Sequence, residues 1–98
     1  MSKMIQVAVD GNTLAYSGTC TLESITLTNV GADATMFILY DLNDVADIVA
    51  GDNVLFTGNV PGNTTIQFQF AGVLASTGLV VAYTWGGGSS SIAMLEMN

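Results

Sequence analysis

Almost all of the side chains that could do chemistry in this sequence are carboxylates. Eight acidic residues stand against a single basic one, Lys3, and the chain has no histidine and no arginine. A Ser-His-Asp or Cys-His nucleophile therefore cannot be assembled, and most general bases are missing. A carboxylate pair such as Asp41 and Asp52 could still act as in glycosidases, but such sites need a deep cleft, for which a 98-residue chain has little volume. We expect no enzymatic activity.

The densest group of acids lies in residues 41–52, where oxygen ligands for a divalent cation could gather. An EF-hand loop has oxygen ligands at positions 1, 3 and 5, glycine at position 6 and a carboxylate at position 12. Asp41, Asn43 and Asp52 fit positions 1, 3 and 12, whereas Val45 and Ala46 do not fit positions 5 and 6. We therefore expect solvated loop carboxylates, with no metal and no cofactor. The weak candidates for a cation site are Asp41, Asp44, Asp47 and Asp52.

Two other features suggest chemistry but are better explained by structure. Residues 86–91 read GGGSSS, but a phosphate-binding loop also needs a lysine and a following helix, so we interpret this segment as a hinge or turn. Cys20 is the only cysteine, which excludes an intrachain disulfide and a cysteine-based zinc site. A buried, inert thiol is the expected role of Cys20.

Aromatic and methionine side chains are the remaining candidates for binding. Tyr40, Tyr83 and Trp85 could form a platform that stacks on sugar rings, but two of the three lie among apolar residues, which favours the core or an interface. Met94 and Met97, together with Met4, suit gap filling or a contact surface. The candidate interface residues are therefore Tyr83, Trp85, Met94 and Met97.

Alternating apolar residues predict that these side chains are carried by short β-strands. Ile66, Phe68 and Phe70 fall on one face of a strand, with polar residues between them. Residues 35–41 and 79–85 are apolar on both faces, which predicts central strands covered by the core and by a second layer. Residues 42–50 alone show a helical period, and we interpret them as a helical turn or irregular lid.

Shorter runs and turn signals complete the pattern. Further strands are predicted at residues 4–10, 13–17, 21–30, 53–57 and 92–97, with turns at 10–12, 29–34 and 58–63 and a small-residue connection at 71–78. Pro61-Gly62 suits the centre of a type II turn. Seven or eight short strands with frequent turns predict an all-β protein. We expect one antiparallel β-sandwich domain over residues 1–98, either jelly-roll-like or Ig-like.

The composition favours a protein that works in an assembly. Hydrophobic residues make up 50% of the chain and charged residues only 9%, against about 25% in an average domain. Soluble proteins protect exposed sheet edges with charge, above all lysine, so these edges must be covered by loops or paired with other chains. A net charge of −7 argues against binding nucleic acid or an anionic membrane. The sequence also shows no signal-peptide pattern and no run of about 20 apolar residues.

Two stretches of the sequence resemble small virion proteins of tailed bacteriophages. They are LESITLTNVGADATMFILYD, residues 22–41, and VPGNTTIQFQFAGVLASTGLVVAYTWG, residues 60–86, and they cover about half of the chain. The shared pattern begins with a strand ending in TN, a small-residue turn and a strand ending in LYD. A P-x-G-like turn, an alternating strand and a G-x-x-x-x-x-G-L-x-V segment follow. The long acidic segment at residues 42–52 departs from this pattern.

The resemblance implies a capsid decoration (cement) protein. Such proteins are commonly small β-rich domains, often trimers, on the outer capsid where capsomers meet. The implied partners are the major capsid protein and further copies of the chain, as a homotrimer or another homo-oligomer. The implied location is the capsid surface of the virion, after synthesis in the host cytoplasm. The alternative is a phage tail or fibre component, or a receptor- or carbohydrate-binding β-sandwich module.

Overall fold

Eight strands form two four-stranded sheets in the computed structural model, which describes residues 3–8, 11–49, 51–85 and 91–98. For residues 7, 8, 83–85 and 91 the description covers the backbone only. The strands are β1 (Lys3–Ala8), β2 (Thr13–Ser17), β3 (Cys20–Asn29), β4 (Thr35–Tyr40), β5 (Val54–Val60), β6 (Thr64–Ala75), β7 (Gly78–Trp85) and β8 (Ser91–Met97). A 3₁₀ turn, Val45–Asp47, lies between β4 and β5. No helix in the described residues has the length and apolarity needed to cross a membrane.

The strand order is that of a jelly roll. The first sheet, which we call sheet A, has the order β1-β8-β3-β6, and the second, sheet B, has the order β2-β7-β4-β5. Neighbouring strands are antiparallel throughout. An Ig-like sandwich would place its first two strands side by side, whereas β1 and β2 lie in different sheets. The predicted antiparallel β-sandwich is therefore confirmed, with the jelly-roll order.

Alternating side chains from both sheets form the core between them. Ile25 and Leu27 of β3 and Phe37 and Leu39 of β4 are completely buried there. The face of β6 that carries Ile66, Phe68 and Phe70 also packs against this core, as its alternation predicts. These side chains stay partly exposed because β6 is the last strand of sheet A.

The strands that are apolar on both faces are covered on their outer side by the chain's own loop. On the outer face of sheet B, Tyr40 and Val80 are nearly or completely buried, and they form a second cluster with Leu42 and Ile48 of the β4–β5 loop. The lid predicted for residues 42–50 is therefore confirmed over its described part. At this place the same chain supplies the second layer that the sequence requires, without a partner protein.

The connection predicted at residues 71–78 is wrong, because β6 continues to Ala75. Between the pairs Ser24–Gln69 and Leu22–Val73 the register with β3 shifts, so that residues 70–72 bulge opposite Glu23. Gly72 adopts a φ of +84°, which lets the strand bend there and then resume pairing.

The type II turn predicted at Pro61-Gly62 is also wrong. That turn needs a positive φ at its third residue, but the positive φ (54°) belongs to Asn63 and not to Gly62. Gly62 is needed for space, since a Cβ there would collide with the carbonyl of Ala32 in the β3–β4 loop. The turn predicted at residues 10–12 falls partly outside the described residues, as does the hinge predicted at 86–91.

Candidate functional site

Asp41, the first of the candidate cation ligands, holds a turn in place. Its Oδ1 accepts hydrogen bonds from the backbone N–H groups of Thr77 (2.8 Å) and Gly78 (3.3 Å), and its Oδ2 accepts one from Ser76 (3.0 Å). Burial by itself raises the pKa of the Asp41 carboxyl, but the hydrogen bonds from these three N–H groups outweigh burial and lower the pKa. The ionised carboxylate thus ties the start of the β4–β5 loop to the β6–β7 turn.

The other acids of the β4–β5 loop do not join Asp41 in a cluster. The Oδ1 of Asp44 accepts a hydrogen bond from the N–H of Ala46 (3.0 Å) and caps the 3₁₀ turn. The side chains of Asp44, Asp47 and Asp52 are exposed. Over the described parts of the chain, no three acidic or cysteine side chains are grouped so that they could hold a metal ion. Asp41 and Asp44 therefore both accept hydrogen bonds from backbone N–H groups, Asp41 from the β6–β7 turn and Asp44 from its own loop.

The side chain of Asn29 connects two segments by hydrogen bonds at the opposite end of the sandwich, as Asp41 does at its own end. Its Nδ2 donates to the carbonyls of Asp33 (2.7 Å) and Val60 (3.2 Å), and its Oδ1 accepts from the N–H of Gly31 (3.0 Å). The side chain is almost completely buried, so these contacts satisfy polar atoms that water cannot reach. Asn29 therefore fixes the β3–β4 loop against the end of β5.

Cys20 lies in the core, as predicted, and is a free cysteine. Burial raises the pKa of the Cys20 thiol, and the negative charge of Asp41 raises it further, while Lys3 acts in the opposite direction. The thiol is therefore protonated at neutral pH, which makes it a poor nucleophile and a poor metal ligand.

The candidate binding residues fall in different environments. Met97 is completely buried on the inner face of sheet A, so in the folded chain its side chain has no surface to offer a partner. Tyr40 is only 4% exposed, because the β4–β5 loop covers it, and it cannot stack on a sugar ring. The backbones of Tyr83 and Trp85 lie in β7, while their side chains are outside the described part. Met94 is half-buried on the outer face of sheet A.

The outer face of sheet A has an apolar half and a polar half. On β1 and β8, Met4 and Ile92 are 58% and 39% exposed, and Met94 lies on the same face. We call this the apolar half, and it also carries Gln6 and Glu96. From Ser24 to Thr28 of β3 and from Thr65 to Gln69 of β6, this face carries only short polar or amide side chains, and one pair of them, Thr65 and Thr28, is hydrogen-bonded at 3.1 Å. Beyond the bulge, β6 adds Leu74, which is 59% exposed. The polar half consists of Ser24, Thr26, Thr28, Thr65, Gln67 and Gln69. The apolar half is thus carried by the first and last strands.

The sandwich also has two sides along which the edge strands of both sheets run. Sheet A ends in β1 and β6, and sheet B ends in β2 and β5. Because β1 contacts β2 and β5 contacts β6, the edges meet in two pairs. We call these sides the β1–β2 margin and the β5–β6 margin.

A charged side chain, that of Lys3, lies at the β1–β2 margin. The Nζ of Lys3, on β1, donates a hydrogen bond to the hydroxyl oxygen of Tyr16, on β2, at 3.2 Å. The same ammonium group lies 4.9 Å from the centre of the Tyr16 ring, within cation–π range. The one basic residue of the chain therefore lies at this margin.

The β5–β6 margin is aromatic and uncharged. Phe56 lies 5.0 Å from Phe70 and 5.1 Å from Phe68, and Phe68 lies 5.9 Å from Phe37, measured between ring centres. Phe37 is completely buried, whereas the other three rings are partly exposed. The chain contains no charged residue from position 53 to position 95, a run that includes both strands of this margin.

Our sequence interpretation did not identify this margin, although one signal of it was present. The uncharged run of residues 53–95 can be read directly from the sequence. What the run does not reveal is that β5 and β6 are both edge strands and meet on one side. That follows only from the strand order.

Comparisons with known proteins do not place the chain in a family. No family model matches it, and no curated protein matches it. The described residues also enclose no pocket. The candidate functional sites in the described structure are therefore its surfaces, namely the β5–β6 margin and the apolar half of the outer face of sheet A.

Proposed function

We propose that this protein is a structural component of a tailed-phage virion that decorates the outer capsid and stabilises it across the seams between capsomers. The observation that carries the proposal is that the chain has two surfaces of the kind that partners cover: the exposed apolar side chains of β1 and β8, and the β5–β6 margin, an uncharged edge with three partly exposed phenylalanines. Exposed aromatic groups without charge are typical of protein–protein contacts. The resemblance of residues 22–41 and 60–86 to small virion proteins supports the choice of a phage particle.

A small domain with large contact surfaces can hold neighbouring capsomers together. A shell filled with DNA is under internal pressure, and a bridge between capsomers resists it by burying surface on both sides of the seam. A standard protein interface buries about 1,600 Å², and the symmetry of the shell repeats each contact many times. Many moderate contacts together can therefore stabilise the particle.

The apolar half of the outer face of sheet A is the surface we assign to the major capsid protein. Met4, the most exposed of its residues, is 58% exposed. Flexible methionine side chains adapt to an irregular partner surface. In this arrangement the strands nearest the chain ends contact the shell, while the β5–β6 margin stays available for further copies of the chain.

Co-sedimentation with capsids tests the proposal. Particles of the phage whose genome encodes this chain are stripped of it and mixed with the purified protein. We expect saturable binding and an increase in the melting temperature of the shell. The variant Met4→Gln/Met94→Gln should bind at least about tenfold more weakly, because it removes apolar contact area without adding charge. The control Thr26→Gln/Thr28→Gln, on the polar half of the same face, should bind as the wild type does.

Absence of binding to these capsids would refute the proposal. Saturable binding to a glycan array, without capsid binding, would favour the receptor- or carbohydrate-binding module instead. Equal loss of binding in both variants, with both still folded by circular dichroism, would show that the capsid contact is not on the apolar half.

A further inference from the structure

We propose that two copies of this chain join edge to edge through β6, with residues 65–69 of one copy pairing antiparallel with the same residues of the other. Sheet A of each copy then continues into the other as one eight-stranded sheet. This inference rests on the proposed function in one respect, namely that the chain works in assemblies. Beyond that, it identifies the contact between two copies. It gives a twofold pair, whereas the resemblance implies decoration proteins that are often trimers.

The free edge of β6 has the length and regularity that strand pairing needs. Residues 64–69 pair one by one with β3, and the bulge at residues 70–72 comes only after them. No other described strand pairs with the outer edge of β6. A regular edge without charge or proline presents backbone N–H and C=O groups to a further strand, and residues 64–69 contain neither charge nor proline.

The charge distribution favours a second copy as the occupant of this edge. The chain has a net charge of −7, so two copies repel each other wherever their carboxylates approach. All eight acidic residues lie outside residues 53–95, and so does Lys3. The β5–β6 margin is built from uncharged strands, and a second copy can approach it without placing carboxylates of these strands opposite one another.

The side-chain pattern of β6 is also complementary to itself. With a twofold axis at Gln67, antiparallel pairing places Ile66 opposite Phe68 and Thr65 opposite Gln69. Polar residues then meet polar residues on the outer face, and apolar residues meet apolar residues on the core face. A slip of one residue would oppose the two kinds, so the alternation excludes registers shifted by an odd number of residues.

Pairing at this edge would also cover the aromatic side chains that the single chain leaves partly exposed. Phe68 and Phe70 belong to the core-facing side of β6 and are only partly buried, as is Phe56 of β5. A second copy of β6 brings its own Ile66 and Phe68 to this place. The contact therefore adds apolar burial to the hydrogen bonds between the strands.

The opposite edge of the same sheet does not offer this contact. β1 begins with Lys3, whose ammonium group is held over Tyr16 of β2. A lysine on an edge strand opposes pairing because a second strand would have to desolvate the charge. The two edges of sheet A are thus chemically different.

A matched pair of glutamines provides the test. Gln67 on β6 and Gln6 on β1 are both exposed, and they lie on the same row of sheet A through the register Gln6–Met94–Thr26–Gln67. Gln67→Glu and Gln6→Glu each add one negative charge with almost no change in shape. Sedimentation equilibrium over a concentration series should show a dimer for the wild type. At low salt the dimer should weaken about tenfold for Gln67→Glu, whose charges meet at the axis, and less than about twofold for Gln6→Glu.

A charge-swap mixture separates repulsion at the axis from simple misfolding. Gln67→Lys should also dimerise poorly, but an equal mixture of Gln67→Glu and Gln67→Lys should form heterodimers more tightly than either variant forms homodimers. A wild type that stays monomeric at every concentration would overturn the inference. Equal weakening by Gln67→Glu and Gln6→Glu would overturn it too, and so would a mixture that associates no better than its components.

The capsid assay distinguishes failure of this inference from failure of the proposed function. Dimers that depend on Gln67 but never bind capsids would support the inference and refute the capsid role. If Gln67→Glu leaves self-association unchanged but abolishes capsid binding, the occupant of the β6 edge is the capsid protein, and the inference is wrong.

Discussion

The β1–β2 margin and the β5–β6 margin belong to one sandwich, yet their edges are protected in different ways. At the β1–β2 margin Lys3 bonds to the Tyr16 hydroxyl and covers its ring, which keeps a charge beside the edge. At the β5–β6 margin a row of phenylalanines fills the gap between the sheets, and three of the rings remain partly exposed. The difference teaches that one sheet can have one edge suited to solvent and one suited to a partner.

The largest expected effect tests how much each margin contributes to stability. Phe56 contacts three other phenylalanine rings, so Phe56→Ala should lower the free energy of unfolding by about 3 kcal/mol through lost burial and a cavity. Tyr16→Phe at the other margin removes only the hydroxyl that Lys3 reaches, and it should cost less than about 1 kcal/mol. Urea unfolding of both variants measures the two values. Similar losses at the two margins would contradict the contrast between them.

Asp41 lies at an end of the sandwich. A variant at this position tests whether self-association stays unchanged when the stability of the fold is lowered. Asp41→Asn can keep the hydrogen bonds that reach Oδ1, but it places an amide donor against the N–H of Ser76. The free energy of unfolding should fall by about 1 kcal/mol, since the hydrogen bond from Ser76 to the charged carboxylate is lost. Self-association, measured by sedimentation, should not change. A weaker dimer in this variant would mean that effects on association merely follow stability.

The pH dependence of stability should also show the contribution of the Asp41 carboxylate. The pKa of Asp41 in the folded chain lies below its ordinary value of 3.8 because the N–H bonds outweigh burial. The carboxylate therefore stabilises the folded state above the ordinary pKa, and this contribution is lost as the pH falls through the lowered value. Thermal melts between neutral and acid pH should show a smaller acid-induced decrease for Asp41→Asn than for the wild type. Parallel curves would contradict this role of Asp41.

The sequence predicts some of these features well, and for physical reasons. Alternation in residues 66–70 predicts which side of β6 faces the core, because side chains of a strand alternate between its faces. The helical period of residues 42–50 predicts a helical turn or lid, and the structure shows Leu42 and Ile48 of this segment packed on sheet B. The lone cysteine predicts the buried thiol. Each of these features depends on residues close together in the chain.

The features that the sequence does not predict depend on residues far apart. The bonds of Asp41 to Ser76, Thr77 and Gly78 span 35 or more positions, and no local pattern announces them. The apolar outer side of Val80 requires a cover, but the sequence does not say whether the same chain or a partner supplies it. The β5–β6 margin likewise follows from a strand order that local patterns do not contain.

The smallest effect on stability is expected for a substitution of Lys3. This variant also tests most sharply whether Lys3 is what distinguishes the β1–β2 margin from the β5–β6 margin. Lys3→Met removes the only basic side chain and keeps the apolar stem, so it should lower the free energy of unfolding by less than about 1 kcal/mol. It should also make the β1 edge more able to pair, which sedimentation would detect as species larger than a dimer. Unchanged dimers in Lys3→Met would show that Lys3 does not protect this edge.

Hydrogen–deuterium exchange tests the central claim most directly, because it reports on both edges of sheet A in the unmodified protein. The exchange of backbone amides is compared between dilute and concentrated samples. If copies join through β6, amides in residues 65–69 become more protected as the concentration rises, while those in residues 3–8 do not change. Protection gained at residues 3–8 instead, or at neither edge up to the highest soluble concentration, would contradict the account.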